Sequence, residues 1–199
     1  MVKVKIIRHS ERLDFSYPLY WIFCFGHYWA DSPLTSNGYK IADIKGKAML
    51  DDGALNPKTI YTSPYSRTMA TATEIKKSFP EAEISIIPLL AEYQPYYKHG
   101  VNLYPQGIPT TYEGKNTEFA YPETYDQFFS RVEFIIHKLI NKESDAIIVT
   151  HGEVLKAFIS YLQELYPDLI LDSGDTPYLT ILSFEYDGQQ IIEDTIKIE

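Results

Sequence analysis

Residues 2–12 read VKVKIIRHSER, and the change within this stretch from a β-branched run to charged and polar residues decides the fold. The β-branched run at 2–7 predicts a short strand, which ends abruptly at Arg8-His9. In an open parallel sheet, ligands bind outside the carboxyl ends of the strands. The residues that follow each predicted strand are therefore the first candidates for chemistry.

Strands and helices alternate along the rest of the chain. Further strands are predicted at 59–62, 84–87, 145–150, 178–186 and 190–198, and helices at 35–53, 63–79, 123–141 and 153–166. The strand at 145–150 has the apolar run of a buried parallel strand, and Asp187-Gly188 predicts a hairpin turn. This alternation predicts an α/β fold, a three-layer α/β/α sandwich with a mostly parallel central sheet and helices on both faces.

Length and composition narrow the class of protein. The 199 residues predict a single domain over 1–199, and the net charge of −9 disfavours nucleic acid or an anionic membrane as a partner. The single Cys24 excludes a disulfide framework and a Cys-rich zinc module. No run of 18 apolar residues exists and charge appears by residue 8, so we expect no membrane span, no signal peptide and a cytoplasmic protein.

Three of the four arginines lie at predicted strand ends. Arg8 and Arg12 follow the first strand and Arg67 follows the second, in a chain that otherwise uses lysine. The guanidinium fork matches the oxygens of phosphate. One such arginine is better explained by a surface ion pair, but three beside His9 and His151 predict an anion site.

Metal binding and a serine nucleophile fit the two strand-end histidines less well. A metal site is disfavoured because Arg8 and Arg12 would repel a cation, and no HxH or HxxxH spacing is present. The G-x-S-x-G, Walker and G-x-G-x-x-G patterns are also absent. We expect His27, His99 and His137 to be ordinary exposed or hydrogen-bonded histidines.

The strand-end residues supply the parts of phosphoryl transfer. A neutral imidazole is a competent nucleophile toward phosphorus. The transferring group needs positive donors for its equatorial oxygens, and the leaving oxygen needs a proton. Arginines meet the first need, and Glu92, which follows the third predicted strand, meets the second.

Five segments between residues 8 and 152 form an ordered set. They are RHSER at 8–12, SPLTSNG at 32–38, TSPYSRTMATA at 62–72, LAE at 90–92 and VTHG at 149–152. In this order they resemble the RHG-E-R, P-L-T-x-x-G, S-P-x-x-R-x-x-x-T-A, L-x-E and second-histidine motifs of the histidine phosphatase superfamily, also called phosphoglycerate mutase-like. Each short motif alone is a weak signal for the family, whereas all five motifs in this order are a strong one.

The resemblance implies a role for each matching residue. It implies that His9 is the nucleophile that forms a phosphohistidine, that Glu92 is the proton donor and that water attacks in the second step. It implies neither a metal ion nor a cofactor. The side chains implied to hold the phosphoryl group are Arg8, Arg12, Arg67 and His151. The sequence leaves other acids open, namely Glu11, Asp14, Glu118 and Glu153.

Position 10 departs from the family pattern. Ser10 stands where the family usually has Gly, which would let the backbone approach the phosphate closely. Serine is the next smallest polar choice. We expect the Ser10 hydroxyl to donate a hydrogen bond to the phosphate.

The resemblance favours a phosphatase over a mutase. The R-H-Y-G-x-L-x-G run of the mutases is missing, and Glu92 is followed by YQPYY. Arg12 and the aromatic insert after it look most like the phosphatase domains of the TULA (Sts) proteins and their insect steroid-phosphate relatives. The expected function is metal-independent hydrolysis of a phosphomonoester, on a phosphorylated small molecule or a phosphoprotein.

Two alternative functions remain open. One is a phosphoglycerate mutase-type phosphotransferase, which a bisphosphorylated cofactor would stimulate. The other is a phosphate-binding pseudoenzyme that serves as an interaction module. The presence of both His9 and Glu92 argues against the pseudoenzyme, because binding alone needs neither a nucleophile nor an acid.

Aromatic residues concentrate in two insertions, at about 13–31 and 93–122. The chain has 17 Tyr, 10 Phe and 2 Trp, or 15% aromatic residues. One interpretation is that the insertions pack onto the domain or form a homodimer patch. The other is a lid over the phosphate site that stacks on an apolar leaving group, which predicts a preference for bulky aryl phosphates over sugar phosphates.

Overall fold

The computed structural model of the chain describes residues 1–25, 31–51, 53, 55–95, 122–140, 144–172 and 174–199. Within these residues, six strands form one sheet. They are β1 (Val2–Arg8), β2 (Thr59–Thr62), β3 (Glu83–Ile86), β4 (Ala146–Thr150), β5 (Ile181–Tyr186) and β6 (Ile191–Ile198). Their order across the sheet is β3-β2-β4-β1-β5-β6.

The centre of the sheet is parallel. β4 lies between β1 and β2 and runs parallel to both, and β2 runs parallel to β3. β5 runs antiparallel to each of its neighbours, β1 and β6. Every residue of β4 is buried, which confirms the fully buried parallel strand predicted from its apolar run.

Helices cover both faces of the sheet. They are α1 (Leu13–Ser16), α2 (Pro18–Phe25), α3 (Ser36–Asp51), α4 (Ser66–Lys76), α5 (Tyr125–Ile140) and α6 (Gly152–Leu165), with a short 3-10 helix at Pro88–Leu90. Alternate strand residues face opposite sides. Ile6 and Ile148 therefore join the core beneath α5 and α6, and Ile7 joins the core beneath α3 and α4. These two cores confirm the three-layer α/β/α fold.

Local sequence signals set several element ends. Thr35 is the N-cap of α3, because its Oγ1 accepts a hydrogen bond from the Gly38 N–H at 2.8 Å. Gly53 follows the same helix with a φ of 65°, and Gly188 in the β5–β6 turn has a φ of 104°. Both glycines occupy the left-handed region that their positions require.

Two predicted features differ from the structure. The segment 13–25, expected to be part of an irregular insertion, forms α1 and α2, because Pro18 takes the first position of α2, where no N–H is needed. α4 begins at Ser66 and not at Ser63-Pro64. The carboxylate of Asp31 accepts hydrogen bonds from the Ser66 N–H at 2.7 Å and the Ser66 hydroxyl at 2.6 Å, so it caps this helix in place of Ser63.

The remaining parts of the aromatic insertions, 26–30 and 96–121, lie outside the described residues, and so does the predicted lid. The single domain over 1–199 stays a prediction. None of the helices in the described part of the chain combines the length and the apolar character needed to cross a membrane.

The sheet brings three strand ends to one edge. In the β1–β4 pair Arg8 lies opposite Thr150, and in the β2–β4 pair Thr62 lies opposite Val149. The carboxyl ends of β1, β2 and β4 are therefore level. The residues that leave this edge are His9, Ser63 and His151.

Candidate active site

His9 is buried at the carboxyl end of β1 with a defined orientation. Its backbone N–H donates to the Thr150 carbonyl at 2.8 Å, and its Nδ1 lies 2.8 Å from the Ser10 carbonyl. A carbonyl oxygen only accepts, so Nδ1 carries the proton in this bond. The Nε2 atom of the neutral ring then holds the free lone pair.

His151 is held from both sides of its ring. Its Nδ1 lies 3.1 Å from Arg67 Nη2, and its Nε2 lies 2.7 Å from the Ser63 hydroxyl. Because a guanidinium only donates, Nδ1 is the acceptor and Nε2–H donates to Ser63. The centroids of the His9 and His151 rings are 5.4 Å apart, so the structure brings the two predicted histidines together.

Both imidazoles are kept neutral by their surroundings. Burial is the largest cause that lowers the pKa of His9 well below its usual value, and the positive charge of Arg67 lowers it further. Burial and Arg67 also lower the pKa of His151. A neutral His9 with a free lone pair is the form that can attack phosphorus.

Three guanidinium nitrogens beside these rings are buried and lack a hydrogen-bond partner among the described residues. They are Nε of Arg8 and both Nε and Nη1 of Arg67. Arg8 is fixed by its Nη1–H, which donates to the Thr176 carbonyl, and it lies over the Tyr178 ring at 4.8 Å. A buried donor without a partner is costly, so these nitrogens are suited to binding an anion.

Arg67 is a buried positive charge within the site. Its side chain is 2% exposed, and its Nη1 is 3.9 Å from the Asp31 carboxylate. Burial, followed by the nearby Arg12, lowers the pKa of Arg67 to about 10. A pKa of this size leaves the guanidinium charged at neutral pH, as binding of an anion requires.

Arg12 is engaged by a carboxylate next to the site. Its Nε and Nη2 donate to the two oxygens of Asp14 at 2.6 and 2.5 Å. The Arg12 guanidinium also lies 4.2 Å from the centre of the Phe15 ring, which is 65% exposed. Arg12 thus contributes positive charge while its fork is paired with Asp14.

Glu92 is placed at the edge of the histidine pair. Its Oε2 lies 3.7 Å from His151 Nδ1, and its Oε1 accepts a hydrogen bond from the Tyr93 N–H at 3.1 Å. Burial raises the pKa of Glu92, against an opposing effect of Arg67. A raised pKa increases the protonated fraction, as a general acid needs.

Three of the other acids have hydrogen-bond or ion-pair partners of their own. Glu11 accepts hydrogen bonds from the Thr35 hydroxyl and the Asn37 amide, at 2.5 and 3.1 Å, and so ties the first loop to α3. Asp14 is paired with Arg12, and Glu153 is half-exposed and 3.4 Å from a lysine of its own helix. Glu118 lies outside the described residues.

The Ser10 hydroxyl has a partner on α3 in the described structure, and the expected hydrogen bond to a phosphate stays a prediction. The Ser10 hydroxyl donates to the Gly38 carbonyl at 2.7 Å, so its proton faces α3 and not the anion site. The backbone N–H of Ser10 donates to the Thr71 hydroxyl at 3.0 Å. Close packing explains the direction, because a Cβ on Gly38 would lie 2.4 Å from the Glu11 carbonyl oxygen. The hydroxyl of Ser10 fits this tight loop–helix junction.

Sequence reasoning missed four residues that shape the site. Ser63 lies in one of the five motif segments, and its hydroxyl accepts a hydrogen bond from His151 Nε2. Tyr65 places its ring 4.9 Å from that of His151 and 4.3 Å from the Arg67 guanidinium. Tyr178, 5.8 Å from the His9 ring, and Asp31 come from segments in which no pattern pointed to the site.

His137, on α5, lies away from this site. Its Nε2 is 2.6 Å from the Tyr161 hydroxyl, as expected for an ordinary hydrogen-bonded histidine. His27 and His99 lie outside the described residues. Across the part of the chain that is described, no three or more His, Cys, Asp or Glu side chains cluster to hold a metal ion.

Comparisons with known proteins give a family match. The family model of the histidine phosphatase superfamily (branch 1) matches residues 24–196, a range that begins after the RHSER segment. A protein of Acanthamoeba polyphaga mimivirus, described as an uncharacterized phosphoglycerate mutase family protein, is 64% identical over 202 residues. That match covers 100% of this chain and 98% of the relative.

Two insect proteins are more distant. The ecdysteroid-phosphate phosphatase of Drosophila melanogaster is 25% identical over 194 residues, which cover 77% of this chain and 26% of that protein. The crystal structure of the ecdysone phosphate phosphatase from Bombix mori, in complex with tungstate, superposes with a TM-score of 0.72 at 20% identity. It covers 99% of this chain and 94% of the insect chain, and it supports the fold.

The first prediction concerns the protonation of the two histidines. We expect His9 to carry its proton on Nδ1 and His151 on Nε2, and both rings to stay neutral as the pH falls through about 6.5, the ordinary value for histidine. Two-dimensional ¹H–¹⁵N spectra of the imidazoles, assigned with His9→Ala and His151→Ala, measure this directly. Titration of either ring at the ordinary value, or the opposite tautomers, would contradict the geometry.

Proposed function

The chain belongs to the histidine phosphatase superfamily, and from this premise we propose that it hydrolyses phosphomonoesters through a phosphohistidine on His9, without a metal ion. The observation that carries the proposal is the set of buried, unpaired guanidinium N–H groups of Arg8 and Arg67 beside a neutral His9, within the described part of the chain. A phosphoryl group has the charge and the acceptor oxygens to satisfy those donors.

The first step transfers the phosphoryl group to the enzyme. The Nε2 lone pair of His9 forms the N–P bond while the bond from phosphorus to the leaving oxygen breaks. Arg8 and Arg67 neutralise the equatorial oxygens, and the carboxyl of Glu92 gives its proton to the leaving oxygen. The alcohol departs, and Glu92 is left as a carboxylate.

The second step regenerates the enzyme. A water molecule gives one proton to the Glu92 carboxylate and attacks phosphorus, the N–P bond breaks, and inorganic phosphate leaves with His9 neutral again. His151 contributes to both steps. Its neutral ring accepts from Arg67 Nη2 and so holds that guanidinium beside His9.

We propose in addition that the leaving group is bulky and apolar. Phe15 is exposed, and its ring lies against Arg12. Arg12 belongs to the cationic cluster, which consists of Arg8, Arg12 and Arg67. Tyr178 lies beside both His9 and Arg8. Aromatic rings next to a phosphate site favour a substrate that stacks on them. The names of the two insect relatives, phosphatases of steroid phosphates, support the same substrate class.

The second prediction tests the proposed catalytic apparatus. We expect hydrolysis of p-nitrophenyl phosphate that EDTA does not inhibit, and a loss of kcat of more than about a thousand-fold in His9→Ala. The matched control is His137→Ala, which changes a histidine outside the site. Its kcat should stay within about two-fold of that of the wild type. Steady-state rates across acid to neutral pH measure this.

Three results would contradict the second prediction. Inhibition by EDTA would point to metal chemistry. Stimulation by a bisphosphorylated cofactor would favour the phosphoglycerate mutase-type phosphotransferase. Tight binding of phosphate with no turnover by the wild type would favour the pseudoenzyme.

The third prediction concerns the apolar leaving group. We expect Phe15→Ala to raise KM for a naphthyl phosphate about three- to ten-fold, as the loss of one aromatic contact implies, and to change KM for a small alkyl phosphate less than two-fold. Phe134→Ala on α5 is the control for removal of an exposed Phe. Equal effects on both substrates, or better turnover of 3-phosphoglycerate or fructose phosphates by the wild type, would refute this preference.

A further inference from the structure

The fourth arginine lies in the core, away from the cationic cluster. The side chain of Arg131 on α5 is 0% exposed and that of Glu123 is 1% exposed. Arg131 Nε donates to one carboxylate oxygen of Glu123 at 2.8 Å, and its Nη2 donates to the other at 2.6 Å. The two residues form a bidentate buried ion pair.

The third nitrogen of this guanidinium, Nη1, contacts the segment that precedes Glu92. Arg131 Nη1 donates to the Leu89 carbonyl at 2.6 Å and to the Ala91 carbonyl at 3.1 Å. The carbonyl between them, of Leu90, accepts from the Thr150 hydroxyl at 2.9 Å. Three consecutive carbonyls are therefore fixed by side chains from α5 and β4, and the next residue is Glu92.

The segment is also fixed on the other side of Glu92. The backbone N–H of Glu123 donates to the Gln94 carbonyl at 2.9 Å. The Gln94 amide in turn donates to the Tyr65 hydroxyl at 2.8 Å, and the Tyr65 ring packs against His151. The Arg131–Glu123 pair thus contacts the chain before and after Glu92.

The Glu92 carboxyl itself has weak restraints in the described structure. Its hydrogen bond comes from the N–H of the next residue, and its distance of 3.7 Å to His151 Nδ1 is longer than a hydrogen bond. The position of this carboxyl relative to the histidines therefore depends on the backbone that carries it.

Stability alone does not account for a charged pair at this place. A buried ion pair is often no more stable than apolar residues of similar volume. What apolar residues cannot replace is the planar fork that bonds a carboxylate and two carbonyls at once. The pair is suited to fixing a geometry.

We propose that Arg131 is a positioning residue for the proton donor, and that with Glu123 it holds the backbone so that the Glu92 carboxyl stays at the edge of the histidine pair. The inference rests on the proposed function. The residue acts through Glu92 and has no contact with the reacting atoms.

The test uses substrates that differ in their need for an acid. Nitrophenolate is a weak base and leaves with little protonation, whereas the alkoxide of an alkyl phosphate such as 2-glycerol phosphate needs a proton to leave. kcat/KM covers the steps up to departure of the alcohol, so it reports on the acid. A structural defect lowers kcat/KM for both substrates by the same factor.

Two variants remove the fork without leaving a buried charge alone. The first is Arg131→Met combined with Glu123→Leu, and the second is Arg131→Lys, which keeps a positive charge opposite Glu123. Lys138→Met, on the exposed side of the same helix, is the control. Urea unfolding verifies that each variant is folded under assay conditions.

We expect both variants to lose kcat/KM selectively for the alkyl phosphate. For the double variant, kcat/KM for the alkyl phosphate should fall about thirty-fold or more, within the range of general acid catalysis, while that for p-nitrophenyl phosphate falls less than about three-fold. Arg131→Lys should show the same difference in kcat/KM between the two substrates, but a smaller one. Glu92→Gln should reproduce this difference, and adding it to the double variant should cause no further selective loss.

Several outcomes would overturn the inference and leave the proposed function standing. They are an equal loss for both substrates, no loss for either, or a selective loss that adds to that of Glu92→Gln. Failure of the wild type to hydrolyse either substrate, or full activity in His9→Ala, would instead refute the proposed function and the inference with it.

Discussion

Burial of the Arg67 guanidinium and of Arg8 Nε, with three nitrogens that lack a hydrogen-bond partner in the described structure, is the constraint on which the site depends. These unpaired donors sit at the edge of the sheet where β1, β2 and β4 end. Their desolvation is unfavourable, and the rest of the fold must offset it. The result is a preorganised anion site, because donors fixed in a low-dielectric environment need no rearrangement when negative charge arrives.

The same burial decides the state of the histidines. The loss of water, and after it the arginine charges, lower the pKa values of His9 and His151, so both rings are neutral and their hydrogen bonds assign a tautomer to each. Burial has the opposite effect on Glu92, whose pKa rises. One environment thus produces a histidine with a free lone pair and a carboxyl whose pKa is raised, as a nucleophile and a general acid need.

The sequence predicted the fold well, and it predicted that His9 and His151 would lie close together, because both follow from short-range patterns. The apolar run of β4 and the residues directly after β1 and β4 needed no tertiary knowledge. What it could not predict depends on contacts between distant segments. The Ser10 hydroxyl turns toward Gly38, Asp31 caps α4, and Arg131 holds the backbone before Glu92. No local pattern encodes which partner each side chain meets.

Phosphorylation of His9 during turnover is the step that every part of the proposed mechanism requires. The most direct measurement is to mix the chain with a phosphomonoester, quench within milliseconds in base and map the phosphorylated peptide by mass spectrometry. We expect a phosphoramidate on His9, stable in base and lost in acid, which is absent from His9→Ala. Turnover without such an intermediate, or a phosphate on another residue, would contradict the mechanism.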